Sequence, residues 1–295
     1  MAWSERQTLM LKEMGLRVDS RPEVKAEVEA EGRAEGKSDV RAVAVAVPAS
    51  PLPSSQAAAP RPAALPRPAA PTAVAAAPIQ AHAPGGLTKE VIATMDWPEL
   101  RDAVSSCTEC KLCQGRTNTV FGVGQVNAHW MVVGEAPGEQ EDAQGEPFVG
   151  KSGQLLDNML RALGLSRHFS KEGAQPDPSK CVYIANSVKC RPPGNRNPAP
   201  DELARCEPFL IRQVALVQPK IILAMGRFAV QSLLRSSDAI GKLRGRVHHY
   251  QGVPLIVTYH PAYLLRNLEE KARAWDDLCL AAQTYAEQAA ILTSS

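Results

Sequence analysis

The residues with the most chemical potential lie in one segment, VVGEAPGEQEDAQGEPFVGKSGQ. It carries carboxylates at Glu135, Glu141 and Asp142, an aromatic ring at Phe148, and a Gly-Lys-Ser-Gly sequence that can begin a helix. Carboxylates, an aromatic face and the exposed amides of a helix N-terminus can together hold a flat polar ring and a nearby phosphate. A phosphate-binding P-loop is disfavoured because Pro147 and Phe148 occupy the place of its flexible loop.

Short apolar runs that alternate with helical patterns predict the strands and helices that position this segment. Four runs predict strands, at His129–Gly134, Cys181–Ser187, Lys220–Met225 and Val253–Tyr259. Helical patterns lie at Ser152–Leu163, Pro200–Val217, Arg227–Leu234 and Glu269–Gln288. We therefore expect an α/β fold, a three-layer α/β/α sandwich with a central four-stranded, mainly parallel sheet.

Polar residues fall at the carboxyl ends of three of these predicted strands. They are Glu135 in the turn after Gly134, Asn186 near the end of the second run, and His260 after the last. Ligands of open parallel sheets bind outside the carboxyl ends of the strands. Motifs far apart in the sequence are therefore predicted to converge on one pocket.

The cysteines predict a metal centre. Cys107 and Cys110 form a C-x-x-C pair before the first strand, and Cys190 and Cys206 flank a segment after the second. Two thiolates from each of two segments supply the four ligands that zinc or an iron–sulfur cluster needs, and the spacing alone does not choose between them. Cys113 extends the first pair to C-x-x-C-x-x-C, which also matches the start of a ferredoxin-like run.

Composition divides the chain into three parts. Residues 41–86 are rich in Ala and Pro and predict a disordered linker, which separates an N-terminal peptide (residues 1–40) from a domain at 87–295. A short amphipathic stretch near residues 4–15 is a candidate docking helix for a replication or repair protein.

No signal peptide or long apolar segment is seen, so we expect a cytoplasmic protein without membrane contact. Disulfides are rare in that compartment, and we expect Cys181 and Cys279 to be buried packing residues. The net charge of +2 indicates that any basic surface for nucleic acid is local.

Together with ANSVKCRPPGNR and TYHPAYLLRN, the acidic segment closely resembles the family 4 uracil-DNA glycosylases, the iron–sulfur branch of their superfamily. The resemblance covers the chain from Cys107 to about Asp277. It implies an enzyme that flips uracil out of single- or double-stranded DNA and hydrolyses its N-glycosidic bond, leaving an abasic site. It also implies a [4Fe–4S] cluster on Cys107, Cys110, Cys190 and Cys206, with Cys113 outside the ligand set.

The resemblance assigns a role to each strand-end residue. Phe148 would stack on the flipped ring, and the Asn186 amide would pair with O4 and N3 of uracil, the edge that differs in cytosine. His260 would donate to O2, where negative charge develops. Glu135 would position or activate the attacking water, or stabilise the cationic sugar.

Two supporting residues and several structural alternatives complete this interpretation. Gly134 and Glu141 are expected to help form the substrate pocket. Phe148 could instead be an ordinary core residue, Asn186 could cap a turn, and His260 could be a structural histidine. Glu135 could do no more than hydrogen-bond loop amides.

The DNA-facing surface is expected around the loop that follows His260. Leu264 or Leu265 would wedge into the duplex as the base leaves, and Arg266 and Lys151 would contact phosphates. Further candidates for phosphate contact or for a solvated rim are Ser152, Lys189, Arg191, Arg196, Arg244 and Arg246. We expect a monomer whose partner is uracil-containing DNA.

Two other functions are compatible with part of this pattern. A non-catalytic DNA-binding protein would keep the fold and the cluster, but Glu135, Asn186 and His260 are all present here. An iron–sulfur electron carrier is disfavoured by the long separation of the cysteine pairs and by the polar residues at the strand ends.

Overall fold

The computed structural model describes residues 87–168 and 176–293. The predicted N-terminal peptide (residues 1–40) and linker (residues 41–86) lie outside the described residues, so both stay predictions. Six strands are present: β1 (Val123–Gly124), β2 (Trp130–Gly134), β3 (Val182–Asn186), β4 (Ile221–Met225), β5 (Val247–Tyr250) and β6 (Val253–Thr258). They form one sheet of order β1-β3-β2-β4-β6-β5.

The α/β prediction is confirmed, but the sheet in the described residues has six strands, not four. β3, β2, β4 and β6 are the four predicted strands and run parallel. β1 and β5 were missed; each pairs antiparallel with an outer strand of this parallel set. Nearly every residue of the four parallel strands is buried, which explains why they appear as continuous apolar runs in the sequence.

Nine α-helices accompany the sheet in the described part of the chain. They are α1 (Lys89–Thr94), α2 (Trp97–Ser105), α3 (Glu139–Gln144), α4 (Lys151–Ala162), α5 (Pro200–Val217), α6 (Arg227–Leu234), α7 (Ile240–Leu243), α8 (Pro261–Leu264) and α9 (Glu270–Thr293). The four predicted helices correspond to α4, α5, α6 and α9. α5 begins at a proline. Proline is favoured at the first helical position because a main-chain N–H there would have no acceptor within the helix.

The sheet separates two apolar cores, which gives the predicted three layers. Trp130 and Val132 of β2 face one core, together with α4 and α9, and Met131 and Val133 face the other, with α5 and α6. The alternation follows from the two-residue period of a strand. The predicted packing of α9 is confirmed, because Trp275, Leu278, Ala282 and Tyr285 all belong to or contact the first core.

A smaller core connects the first two helices to α5. Leu100 and Val104 of α2 pack with Phe121 and Phe209, and this cluster reaches Cys107 and Cys206. The segment that carries the first cysteine pair is thereby fixed against the helix that carries Cys206. No helix among the described residues is both long and apolar enough to cross a membrane.

The loop before α4 depends on a glycine inside that helix. A Cβ atom built on Gly153 would lie 1.6 Å from the main-chain oxygen of Phe148. Phe148 itself has a left-handed backbone with a φ of 56°, which is unusual for a residue other than glycine. Only a residue without a side chain at position 153 allows this loop to pack so closely.

We predict that Gly153→Ala lowers stability by about 3 kcal/mol, since a methyl group there collides with backbone that has no room to retreat. Urea unfolding followed by circular dichroism measures the effect. Gly115→Ala is the matched control, because a Cβ there meets nothing within 4 Å, and its change should stay within about 0.5 kcal/mol. Equal unfolding midpoints for the two variants would contradict this packing.

Candidate active site

One open cleft at the carboxyl ends of the parallel strands collects the predicted strand-end residues. Glu135, Glu141, Phe148, Asn186 and His260 all line it. Their sequence positions are widely separated, and the parallel sheet brings them together as expected. Gly134 does not line the cleft itself; it pairs with Asn186 between β2 and β3 and lies against the side chains of Asn186 and Phe148.

The close packing at Gly134 sets the positions of two neighbouring side chains. A Cβ atom there would lie 2.4 Å from Oδ1 of Asn186 and 2.7 Å from the Phe148 ring. Both side chains are nearly inaccessible to solvent. Oδ1 of Asn186 has no hydrogen-bond partner among the described residues. A buried acceptor left without a partner is destabilising, so this atom points to a bound ligand.

The carboxylate of Glu141 holds the loop that carries Phe148. Its oxygens accept hydrogen bonds from the main-chain N–H groups of Gly138 at 3.1 Å, Val149 at 3.0 Å and Gly150 at 3.2 Å. Three such bonds tie the start of α3 to the start of α4. The contribution of Glu141 visible here is therefore to position the pocket wall.

His260 presents one fixed ring nitrogen to the cleft. Its Nδ1 accepts a hydrogen bond of 3.2 Å from the main-chain N–H of Ala262, which leaves Nε2 as the protonated nitrogen of the neutral ring. Burial lowers the pKa of His260 to about 4, and the positive charge of Arg266 acts in the same direction. The ring stacks on Phe148, with 5.3 Å between centroids. At neutral pH His260 is an uncharged hydrogen-bond donor.

Glu135 is the carboxylate of the cleft whose ionisation is most affected by burial. Burial raises its pKa, and the positive charge of Arg227 opposes that change. Arg227 is the first residue of α6 and lines the same cleft. Arg227 was not predicted, because one arginine at a helix start carries no distinctive signal in the sequence.

The structure separates the two candidate wedge residues. Leu264 is fully buried, so it cannot enter DNA, because its side chain already packs in the first apolar core. Leu265 is 40% exposed and stays a candidate. Arg266 is exposed and lines the cleft, and Lys151 is exposed at the start of α4.

Three further expectations from the sequence were wrong. Lys189 is only 1% exposed and cannot contact a phosphate. Arg244 forms an ion pair with the buried Asp277, at 2.9 Å, so it belongs to the interior of the fold. Cys279 is exposed on α9, whereas Cys181 is buried as predicted.

The four predicted metal ligands line a second, small cavity. Cys107, Cys110, Cys190 and Cys206 share it with the apolar side chains of Val104, Leu112, Val188 and Phe209. Burial raises the pKa of each of these thiols, and the charge of a neighbouring cysteine raises it further, which for Cys110 is that of Cys113. Cys113 does not line the cavity. Within residues 87–168 and 176–293, no three His, Cys, Asp or Glu side chains are grouped for a single metal ion.

Two hydrogen-bond donors point at these sulfur atoms. Nη1 of Arg116 lies 3.1 Å from Sγ of Cys190, and the main-chain N–H of Lys189 lies 3.2 Å from Sγ of Cys206. N–H donors to sulfur and an all-thiol ligand set suit an iron–sulfur centre or a zinc site, because both bind thiolates.

The family model of the uracil DNA glycosylase superfamily matches residues 121–279, which contain every strand-end motif described above. The chain belongs to this superfamily. The recognition from sequence motifs is thereby confirmed.

The chain has higher sequence identity to type-4 than to type-5 uracil-DNA glycosylases. A type-4 uracil-DNA glycosylase of Thermotoga maritima is 41% identical over 174 residues, which are 58% of this chain and 84% of that protein. A type-4 enzyme of Sulfurisphaera tokodaii is 41% identical over 202 residues, 63% of this chain and 86% of the relative. A type-5 uracil-DNA glycosylase of Thermus thermophilus is 33% identical over 156 residues, 48% of this chain and 68% of the relative.

This uracil-DNA glycosylase domain also lines its cleft with residues outside the strand-end set, of which Arg196 was a predicted candidate for phosphate contact. They are Pro192, Asn195, Arg196 and Asn197 after Cys190, Gly226 and Arg227 after β4, and Ala239, Ile240 and Gly241 around the start of α7. The first group shares a segment with a cysteine of the second cavity. The cleft and the cysteine cavity are therefore built partly from the same piece of chain.

Proposed function

We propose that this protein excises uracil from single- and double-stranded DNA by hydrolysing the N-glycosidic bond, releasing free uracil and leaving an abasic site. The observation that carries the proposal is the convergence of Glu135, Phe148, Asn186 and His260 on one cleft. The names of the matched relatives, type-4 uracil-DNA glycosylases, support the same substrate.

Base recognition would use the floor of the cleft. The flipped ring would lie against Phe148, and the Asn186 amide would pair with N3–H and O4 of uracil. The unpartnered Oδ1 of Asn186 supports this role, because N3–H of uracil would supply the missing donor. Cytosine offers the opposite hydrogen-bonding pattern at this edge and would be rejected.

Bond cleavage would use the two titratable groups at the strand ends. As the bond to the sugar breaks, negative charge develops on uracil O2 and positive charge on the sugar. The Nε2–H of the neutral His260 ring would donate to O2. The ionised Glu135 would orient the water that attacks the sugar or stabilise the sugar's positive charge.

DNA binding would combine local charge with one apolar residue. Arg266 and Lys151 would contact phosphates at the rim, and Leu265 would fill the space left by the extruded base. The small net charge of the chain agrees with a contact surface limited to this rim.

Cys107, Cys110, Cys190 and Cys206 would hold a [4Fe–4S] cluster. The hydrogen bonds from Arg116 and from the Lys189 amide to two of these sulfur atoms support this assignment, because such bonds tune the potential of iron–sulfur clusters. Bound there, the cluster would supply cross-links between the segment before β1 and the segment that lines the cleft. The proposed role is to support the site without taking part in the reaction.

The remaining parts of the proposal concern the whole chain. Residues 87–295 would form the glycosylase domain, residues 41–86 a linker, and residues 1–40 a peptide that docks a replication or repair protein. The enzyme would act as a cytoplasmic monomer, associated with the nucleoid through DNA.

Substitutions of Asn186, which would recognise the base, and of His260, which would donate to O2, test the reaction directly. We predict that His260→Ala slows excision about 10²–10³-fold, since a donor to developing charge is lost, and that Asn186→Ala slows it at least about tenfold. Uracil-containing oligonucleotides treated with each variant and then cleaved at abasic sites measure the rates. His249→Ala, an exposed histidine on β5, should match the wild type. A wild-type protein that folds but leaves no abasic site would refute the proposal.

A pH profile tests the charge on Glu135. Because the ionised form is needed, excision should fall as the pH drops through the pKa of Glu135. Arg227→Gln removes the opposing positive charge, raises that pKa further and should move the acid limb to higher pH by about half a unit. The other charged or titratable groups of the cleft, Glu141, Arg196, Tyr259, His260, Tyr263 and Arg266, are unchanged in this variant. If the exposed-residue control Arg161→Gln shifts the limb equally, Arg227 has no specific effect on Glu135.

Metal analysis tests the ligand set. We predict that Cys206→Ser loses most of its iron and visible absorbance, while Cys113→Ser keeps both, because only the first thiol lines the cavity. Iron, sulfide and zinc are measured in the purified proteins. Stoichiometric zinc in the wild type, or iron loss in Cys113→Ser, would contradict the proposed cluster.

A further inference from the structure

Lys189 lies between the two sites. It follows the Asn186 strand end by three residues and directly precedes Cys190. Its side chain is buried, and Nζ donates to the main-chain oxygen of Asn186 at 2.8 Å and to Oε1 of Gln213 at 2.5 Å. The ammonium group is therefore held in place from both sides.

Gln213 is itself fixed by two other contacts. Its Nε2 donates to the main-chain oxygen of Phe121 at 2.9 Å and to the Tyr183 hydroxyl at 3.2 Å. Gln213 is completely buried. Its Oε1 therefore offers Lys189 an acceptor whose position does not depend on the cleft.

Lys189 has no carboxylate partner among the described residues. A buried ammonium group normally pairs with a carboxylate. In the part of the chain that the structure describes, no salt bridge includes Lys189. Its main-chain N–H donates to Sγ of Cys206, so the residue contacts the cysteine cavity through its backbone. Its side chain is held by the bonds to Asn186 and Gln213.

We propose that Lys189 is a positioning residue that fixes the Asn186 amide for uracil recognition through its hydrogen bond to the Asn186 main chain. The inference rests on the proposed function of Asn186. A hydrogen bond to the main-chain oxygen of Asn186 restrains the backbone of the residue whose side-chain amide would recognise uracil. A misplacement of about 1 Å at such a group can slow a reaction about 10²-fold.

A double-mutant cycle in the full-length, iron-loaded protein tests the proposal. Lys189→Met keeps the length and the apolar stem but removes the donor. It should slow single-turnover uracil excision about tenfold when Asn186 is present and less than about twofold in the Asn186→Ala background, because an absent amide cannot be misplaced. Inhibition by free uracil should weaken in parallel, and iron content should match the wild type.

Lys220→Met is the matched control. Lys220 is an exposed lysine just before β4, at the opposite end of the sheet from the cleft. This variant should leave excision, inhibition by uracil and iron content unchanged in both backgrounds.

Three outcomes of the cycle with Lys189→Met overturn the inference. Equal losses in the two backgrounds would mean a general structural role, and an unimpaired Lys189→Met would mean no role. If Asn186→Ala alone excises uracil at the wild-type rate, the proposed function of Asn186 fails as well. If Lys189→Met is recovered without iron, Gln213→Met takes its place in the same cycle. A loss of activity seen only when Asn186 is intact supports the inference, and equal losses in both backgrounds, or none, overturn it.

Discussion

Strands β2 and β3 remain joined beyond the last pair of their ladder. Both the main-chain N–H and the hydroxyl of Ser187 donate to the oxygen of Gly134 at 3.0 Å, and the N–H of Val188 donates to the oxygen of Glu135 at 3.2 Å. These bonds hold the two strand ends side by side where a parallel sheet would otherwise begin to separate. The spacing between Glu135 and Asn186 follows from this pairing, and with it the geometry of the cleft.

The cleft walls depend on that pairing through close contacts at glycines. Gly134 leaves room for the Asn186 amide and the Phe148 ring, and Gly153 leaves room for the Phe148 main chain. A left-handed backbone at a residue such as Phe148 is unfavourable by about 1–3 kcal/mol unless its surroundings fix it. The three amide bonds of Glu141 provide that support, so the aromatic ring is in position before DNA binds.

The sequence was most informative where burial is uniform. The four parallel strands and four long helices were predictable from apolar runs, whereas β1 and β5 are short, only partly buried strands that depend on pairing with a neighbour. The sequence motifs identified residues of the cleft, but they did not show which nearby side chains are buried and which are exposed. The phase of α8 buries Leu264 and exposes Leu265, the phase of α9 exposes Cys279, and tertiary contacts bury Lys189. Arg227 could not be predicted, because only the tertiary fold brings the start of α6 to the cleft.

The hydrogen bond from the Ala262 amide to His260 also bears on the end of the proposed reaction. A protonated imidazole beside the departing base would form an ion pair with the uracil anion and retain it in the cleft. A neutral ring can share its hydrogen with the anion as charge develops without adding a full positive charge to the product complex. Because Nδ1 accepts the Ala262 hydrogen bond and so resists protonation, the ring would stay neutral and favour rapid turnover, since the liberated base is not held by an opposite charge.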